Sequence, residues 1–234
     1  MKKEKVVVLT GAGMSAESGL KTFRDANGLW EGHDVMQVAS PEGFARNPEL
    51  VLEFYNQRRR QLKEVSPNAG HLALVKLEQQ YEVEIITQNV DNLHEAAGSS
   101  SVLHLHGELF KVRSTVNEDY ILDWTDDLLL GNLDQEGNQL RPHIVWFGEM
   151  VPLMDRAVNV IRKANKVIIV GTSMQVYPAA GLLNYAPAGI PKYFIDPKPS
   201  ITSNDYSNLK ILNGTAARGL PVLVNQLLSQ TNER

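Results

Sequence analysis

The 234-residue chain contains no cysteine. Disulfides, thiolate zinc sites and cysteine nucleophiles are therefore all excluded. It has no apolar run of membrane-spanning length, and Met1-Lys2-Lys3 leads into an apolar strand-like segment without the pattern of a signal peptide. Excess positive charge is also missing: 23 Lys and Arg stand against 27 Asp and Glu, a net charge of −4. The densest basic run, Arg58-Arg59-Arg60, is expected to be a solvated helix face rather than part of a nucleic-acid groove. There is no internal repeat and no low-complexity tract. These absences leave a cytoplasmic protein with no nucleic-acid or membrane partner as the expectation. Its 43% apolar and 21% charged residues suit one well-buried core.

Val- and Ile-rich runs predict strands over residues 6–10, 83–87, 167–171, 192–195 and 209–212. Helical patterns fill the spaces, over 48–63, 68–80, 91–97, 152–164, 178–185 and 220–229. Strands alternating with amphipathic helices predict an α/β fold with a parallel sheet covered on both faces. Two stretches break the rhythm. Residues 23–41 scatter Gly28, Gly32, Asp25 and Asn27 without a period, and a loop this long in a compact domain is usually functional or mobile. Residues 113–141 read as a small inserted module.

Two glycine turns follow strands: Gly11-Ala12-Gly13-Met14-Ser15 after Val6–Thr10, and Gly171-Thr172-Ser173 after Val167–Val170. The first reads G-x-G-x-x-A through Ala16, a permitted form of the dinucleotide fingerprint. Glycine lets backbone amides approach a pyrophosphate, and a helix N-terminus adds positive partial charge. Alone, the pattern also suits an ordinary turn. Thr87-Gln88-Asn89-Val90-Asp91 ends a strand and opens a helix, with Asp91 as the expected N-cap. Capping explains Asp91 but not Gln88 and Asn89 together. In Leu103-His104-Leu105-His106-Gly107, alternation puts both histidines on one face of an extended segment. One of them could be a general base with space for substrate beside the glycine, or a satisfied structural residue. Metal ligation by the pair lacks a carboxylate at sensible spacing. His143–Glu149 reads as a half-alternating strand, either buried or able to take a peptide along its edge.

In this order the blocks closely resemble a sirtuin, the family of NAD-dependent protein lysine deacylases. The matching residues are Gly11–Gly19, Thr22-Phe23-Arg24, Gln88–Asp91, His106-Gly107, Phe147-Gly148-Glu149 and Gly171-Thr172-Ser173, and they span nearly the whole chain. The resemblance implies a Rossmann-like sheet domain over 1–234, with a small module, mainly 24–64 plus 111–142, inserted into it. It implies NAD consumed as co-substrate and acylated lysine side chains of proteins as partners. Gly11, Ala12, Gly13, Ser15, Ala16 and Ser18 would hold the pyrophosphate region, with Thr22, Phe23, Arg24 and Trp30 on the cofactor loop. Gln88, Asn89, Val90 and Asp91 would line the ribose and nicotinamide pocket, with Asn89 and Asp91 counted as catalytic. Gly171, Thr172, Ser173 and Ala216 would contact the adenosine half, as would Asp196, which stands where the family usually has Asn. His106 would be the general base. In the family mechanism the acyl oxygen attacks the nicotinamide ribose. The histidine then deprotonates a ribose hydroxyl, which gives free lysine and 2′-O-acyl-ADP-ribose.

Tyr55 and Arg58 lie three apart on a predicted helix, so a phenol and a guanidinium share one face. Most such pairs are structural. The segment Glu53–Arg59 nevertheless resembles the subgroup that removes succinyl and malonyl groups, where the matching Tyr and Arg bind the distal carboxylate. Ala39 matches a small residue that leaves room for the longer chain. Val145, Phe147, Gly148, Glu149, Val176 and Tyr177 complete the implied substrate contacts. The family's structural zinc usually sits on four cysteines, and near Arg113 Ser114 and Thr115 stand in their place. No zinc is therefore expected, and packing through Tyr120, Ile121, Leu122, Trp124 and Leu128–Leu130 must hold the module. Three other readings stay open: protein mono-ADP-ribosyl transfer, a catalytically silent NAD or ADP-ribose module, and an oxidoreductase. The last lacks the acidic residue expected about 20 residues after the first turn.

Overall fold

Val6, Val7, Val8 and Leu9 are all buried, although a strand points successive side chains to opposite faces. Such a strand must be covered on both sides. In the computed structural model, which describes residues 3–21 and 29–232, it is the centre of a six-stranded parallel sheet. Val6 and Val8 enter one core with Leu74, Leu77, Leu220 and Val224. Val7 and Leu9 enter the other with Ala157, Ile161, Leu182 and Leu183. Each fully buried aliphatic side chain contributes roughly 1.5–3 kcal/mol, which makes period-2 alternation across two apolar layers the fold's main determinant.

The strands, in chain order, are β1 Lys5–Thr10, β2 Leu29–Trp30, β3 His33–Asp34, β4 Glu82–Thr87, β5 Val102–His104, β6 Gly107–Ser114, β7 Ile121–Asp123, β8 Leu140–Ile144, β9 Lys166–Val170, β10 Lys192–Asp196 and β11 Leu209–Asn213. The helices are α1 Val35–Val38, α2 Pro41–Arg46, α3 Pro48–Leu62, α4 Ala69–Leu77, α5 Leu93–Ala97, α6 Met154–Ile161 and α7 Ala216–Asn232. The large sheet runs β11-β10-β9-β1-β4-β5. From β1 the chain builds outward through β4 and β5, then returns to β9 on the other side of β1 and builds outward again. The strand order therefore reverses between β1 and β9, and the crevice at their carboxyl ends is where open α/β sheets bind ligands. Among the described residues no helix is long and apolar enough to cross a membrane.

A three-stranded antiparallel sheet, β7-β6-β8, packs with α1–α3. At its tip Leu52, Val112, Leu128 and Leu140 are buried, with Phe44, Tyr120 and Trp124 packed against them. The expected packing set was too wide: Ile121, Leu122, Leu129 and Leu130 are exposed, because β7 is an edge strand with little laid over it. Polar pairs do part of the work instead. Asn56 donates to the Leu128 carbonyl at 3.0 Å and accepts from the Leu128 amide at 2.8 Å. The Ser114 hydroxyl accepts from the amides of Val116 and Asn117, and the Asp134 carboxylate accepts from the amides of Glu136 and Asn138. Hydrogen bonding, the Ser114 hydroxyl first, holds the Asp134 carboxyl down at about 2.

Of the arginine run only Arg60 is solvated. Arg59 is fully buried, its Nε donating to the Leu109 carbonyl at 2.9 Å and its Nη1 to Asn56 Oδ1 at 2.8 Å. It ties α3 to β6, and desolvation lowers its pKa to about 10.

Candidate active site

The two glycine turns meet at the switch point. Gly11 N donates to the Val170 carbonyl at 3.2 Å and Gly13 N to the Gly171 carbonyl at 2.8 Å. A Cβ on Gly13 would lie 2.7 Å from the Gly171 Cα, and one on Gly171 would strike the Gly13 carbonyl carbon and the Met14 amide. Gly171 also has φ +62°, which L side chains rarely adopt. Glycine is needed here so that the turns can pack on each other. The first turn does not offer the free amides and helix N-terminus that the fingerprint implies. The amides of Gly11, Gly13, Met14 and Ser15 are already spent on carbonyls, and two short 3-10 turns, Ala12–Met14 and Ala16–Ser18, replace the expected helix N-terminus.

The loop after β4 lies beside this crevice. Gln88 donates through Nε2 to Thr172 Oγ1 at 3.1 Å, which bridges the loop to the second glycine turn. Ser15 Oγ donates to Asp91 Oδ2 at 2.9 Å and accepts from Asn89 Nδ2 at 3.2 Å, so Asn89, Ser15 and Asp91 form one chain. Asp91 Oδ1 accepts from the Leu93 amide. It thus caps the start of α5 from one residue before the helix's own N-cap position, Asn92. Burial is the largest influence on the Asp91 carboxyl and pushes its pKa up.

Two histidines anchor consecutive carbonyls of that loop and titrate in opposite directions. His106 Nδ1 lies 3.0 Å from the Gln88 carbonyl, an acceptor, so Nδ1 carries the proton and Nε2 keeps its lone pair. Desolvation lowers the His106 pKa against the raising effect of that bond. His104 Nδ1 faces the Asn89 carbonyl at 3.0 Å and its Nε2 faces Glu95 Oε1 at 2.8 Å. Burial opposes its charge, but Glu95 outweighs burial and the His104 pKa rises. His104 is therefore the satisfied structural histidine and His106 the available base. Among the described residues no group of three or more His, Cys, Asp or Glu could hold a metal. Gly107 has φ +83°, and a Cβ there would strike the His143 carbonyl, so the glycine lets β8 pass rather than leaving space for substrate.

One cavity of about 840 Å³ joins these elements. It is lined by Gly11, Ala12, Gly13, Ser15, Ala16, Trp30, Ala39, Tyr55, Arg58, Gln88, Asn89, Val90, Asp91, His106, Val145, Phe147, Gly148, Glu149, Gly171, Thr172, Ser173, Val176, Tyr177, Asp196 and Ala216. Ser18 does not line it; the Asn68 amide holds its hydroxyl at 3.0 Å. Thr22, Phe23 and Arg24 lie outside the described residues. Asp196 ends β10 and accepts from the Lys198 amide at 2.7 Å. It is an acidic residue at a strand end beside the cavity, in the second half of the sheet rather than the first. Lys21, Glu31 and Lys198 also line the cavity and went unmarked in the sequence. Lys198 follows a strand end at the switch point, a usable signal, whereas Lys21 and Glu31 flank or lie in an aperiodic stretch that offers none.

At the far end Tyr55, fully buried, accepts from Trp146 Nε1 at 3.0 Å. Burial raises the Tyr55 pKa, so the phenol stays protonated. Arg58 donates through Nη1 to the Phe54 carbonyl at 2.6 Å, and its guanidinium lies 3.8 Å from the centre of the Phe54 ring. Its buried Nε has no hydrogen-bond partner among the described residues. The residues 145–149 are not strand, since β8 stops at Ile144. Their amides pair outward, Val145 to the His106 carbonyl and Phe147 to the Ala39 carbonyl, both at 2.9 Å. Glu149 is committed within this turn: it accepts from Arg141 at 2.6 and 3.2 Å, from Arg113 at 3.1 and 3.2 Å, and from the Trp146 amide at 2.8 Å.

The sequence profile of the Sir2 family matches residues 11–178. The NAD-dependent protein deacylase of Helicobacter pylori is 53% identical over 227 residues, covering 97% of this chain and 99% of its own. That of Bacteroides thetaiotaomicron is 53% identical over 229 residues, covering 95% and 97%. The crystal structure of a Sir2 homologue in complex with NAD superposes with a TM-score of 0.87 at 36% identity, over 97% of this chain and 91% of that one.

Proposed function

This chain belongs to the Sir2 family, and from that premise we propose an NAD-dependent protein lysine deacylase that prefers succinyl- and malonyl-lysine over acetyl-lysine. The relatives' deacylase activity and the NAD-bound homologue support the first part. The cavity fits the group: about 840 Å³ is enough for a dinucleotide with an acyl-lysine chain beside it, and its two ends differ chemically. Bound NAD would supply an electrophilic ribose carbon with nicotinamide as its leaving group. Thr172, Ser173, Asp196 and Ala216 would take the adenosine end, with the paired glycine turns and Ala16 against the pyrophosphate. The Asn89–Ser15–Asp91 chain would hold the ribose and nicotinamide end in one orientation. His106 would take a proton from a ribose hydroxyl onto Nε2, a step that typically contributes about 10²–10⁴-fold. Its depressed pKa keeps it neutral and ready to accept. The same reading takes 24–64 and 111–142 as a small module on the sheet domain, supported by the shared packing of α3 with β6 and β8.

The observation that carries the acyl preference is the state of Arg58. A buried guanidinium whose Nε has no partner among the described residues is costly to keep, and its Nε and Nη2 form the edge that a carboxylate accepts in bidentate fashion. Tyr55 adds to this: its oxygen already accepts from Trp146, so its own proton is available to an acid. Ala39, buried with only a methyl group, leaves length for the chain. The test is Arg58→Met assayed on matched succinyl- and acetyl-lysine peptides. Desuccinylation should fall far more than deacetylation, and equal losses would refute the preference.

A further inference from the structure

Arg58 is not alone at the acyl end of the cavity. Glu31 Oε2 stands 4.0 Å from Arg58 Nη2, and both side chains are largely buried, at 16% and 13% exposure. We propose that Glu31 is a specificity-determining residue that competes with an acidic acyl group for Arg58 and so limits the enzyme's preference for acidic over uncharged acyl chains. The inference rests on the acyl-pocket reading given above and goes one residue beyond it.

The local backbone delivers this carboxylate deliberately. β2 and β3 pair Trp30 with His33, so Glu31 and Gly32 form a two-residue hairpin turn. Both have positive φ, +50° and +85°, as the tight hairpin turn of this type requires. Asn, Asp or Gly is the usual choice at the first position, and a long side chain there carries a conformational cost. The turn directs Glu31 into the cavity, where it pairs with Lys21 Nζ at 3.0 Å on one side and approaches Arg58 on the other.

At 4.0 Å the Glu31–Arg58 pair is an ion pair without a hydrogen bond. It offsets the Arg58 charge without a hydrogen bond, and Nε–H has no partner among the described residues. A succinyl or malonyl carboxylate reaching that edge would gain two charge-assisted hydrogen bonds, but it would arrive beside a second carboxylate of the same sign. An acetyl group carries no charge and meets no such repulsion. Glu31 therefore lowers affinity for acidic chains selectively. Because the site is mostly desolvated, the repulsion is not screened away as it would be on the surface.

The experiment measures steady-state kinetics of wild type, Glu31→Gln, Glu31→Asp and Arg58→Met on matched Nε-succinyl- and Nε-acetyl-lysine peptides with saturating NAD. Glu31→Gln should raise the succinyl-to-acetyl ratio of kcat/KM on the order of tenfold, through a lower KM for the succinyl peptide. Glu31→Asp, which keeps the charge and suits the turn backbone, should stay near the wild-type ratio. If Arg58→Met is selective for the succinyl peptide but Glu31→Gln leaves the ratio unchanged or lowers it, the Glu31 inference is overturned and the acyl-pocket reading stands. A Glu31→Asp ratio that rises as far as that of Glu31→Gln would show a steric effect in place of competition, and overturns it too. If Arg58→Met costs both substrates equally, the acyl-pocket reading fails and the inference falls with it.

Discussion

Replacing Glu149 with Ala separates two roles that the site assigns to one residue. Its carboxylate receives both Arg113 and Arg141, whose side chains are only 6% and 9% exposed, together with the Trp146 amide. Arg141 in turn lies 3.3 Å over the Trp146 ring, and Trp146 holds the Tyr55 hydroxyl. Removing the carboxylate strands two buried cations and one amide. Breaking a buried ion pair by removing one partner costs about 3–5 kcal/mol, and the second arginine keeps this site at the upper end of that range. The check is urea unfolding at pH 7 followed by far-UV circular dichroism, with the variant compared to wild type at constant m. Burial pushes the Glu149 pKa up, but Arg141, the Trp146 amide and Arg113 outweigh it and the net shift is downward. Its stabilisation is therefore fully present above the ordinary glutamate pKa and is lost as pH falls through the lower folded value. The gap between wild type and variant should shrink in acid accordingly. A loss below about 1 kcal/mol at pH 7, with a raised peptide KM, would show that Glu149 contacts substrate and is not the anchor of this turn.

His106→Ala should abolish deacylation while calorimetry still detects NAD binding; near-normal turnover would remove His106 from its role. In wild type the acid limb of kcat/KM should fall below the ordinary imidazole range, because desolvation lowers the His106 pKa and only its neutral form accepts a proton. Trp146→Phe keeps the ring over which Arg141 lies but deletes the N–H that fixes the Tyr55 hydroxyl. KM for a succinyl peptide should rise about 3- to 10-fold, the worth of roughly one hydrogen bond, with little change for an acetyl peptide. Chelator treatment should leave the melting temperature unchanged, since Leu52, Val112, Leu128, Leu140 and the paired Asn56–Leu128 hydrogen bonds hold the module where thiolates are absent. A chelator-induced drop of several degrees, or stoichiometric zinc in the purified protein, would contradict that.

The sheet was legible because its strands are short, apolar and flanked by glycine or polar turns, signals that act locally. All five predicted strands recur within a residue or two, as at Lys5–Thr10 and Lys166–Val170. Helix ends were harder. The pattern over 220–229 started too late: α7 begins at Ala216 and carries Pro221 inside it. The segment at 178–185 is a 3-10 helix, Ala179–Tyr185, whose apolar spacing resembles an α-helix in sequence. Single-residue roles failed where a long-range partner decides them. Nothing near Arg59 in sequence announces the Leu109 carbonyl 50 residues away, and nothing near Glu149 announces two arginines on β6 and β8. Gly13 and Gly107 each admit a neighbouring stretch of backbone, a role that nothing local in the sequence announces. His104 and His106 look alike in sequence, and Glu95, on α5, is the main partner that raises the His104 pKa while burial lowers that of His106.

The most direct test is to incubate the purified chain with NAD and matched acetyl-, malonyl- and succinyl-lysine peptides, following deacylated peptide, nicotinamide and NADH together. The predicted result is nicotinamide released in step with free lysine, no NADH, and higher kcat/KM for the succinyl and malonyl peptides than for the acetyl peptide. NADH formation, ADP-ribose retained on protein in place of deacylation, or no turnover of any acyl peptide would contradict it.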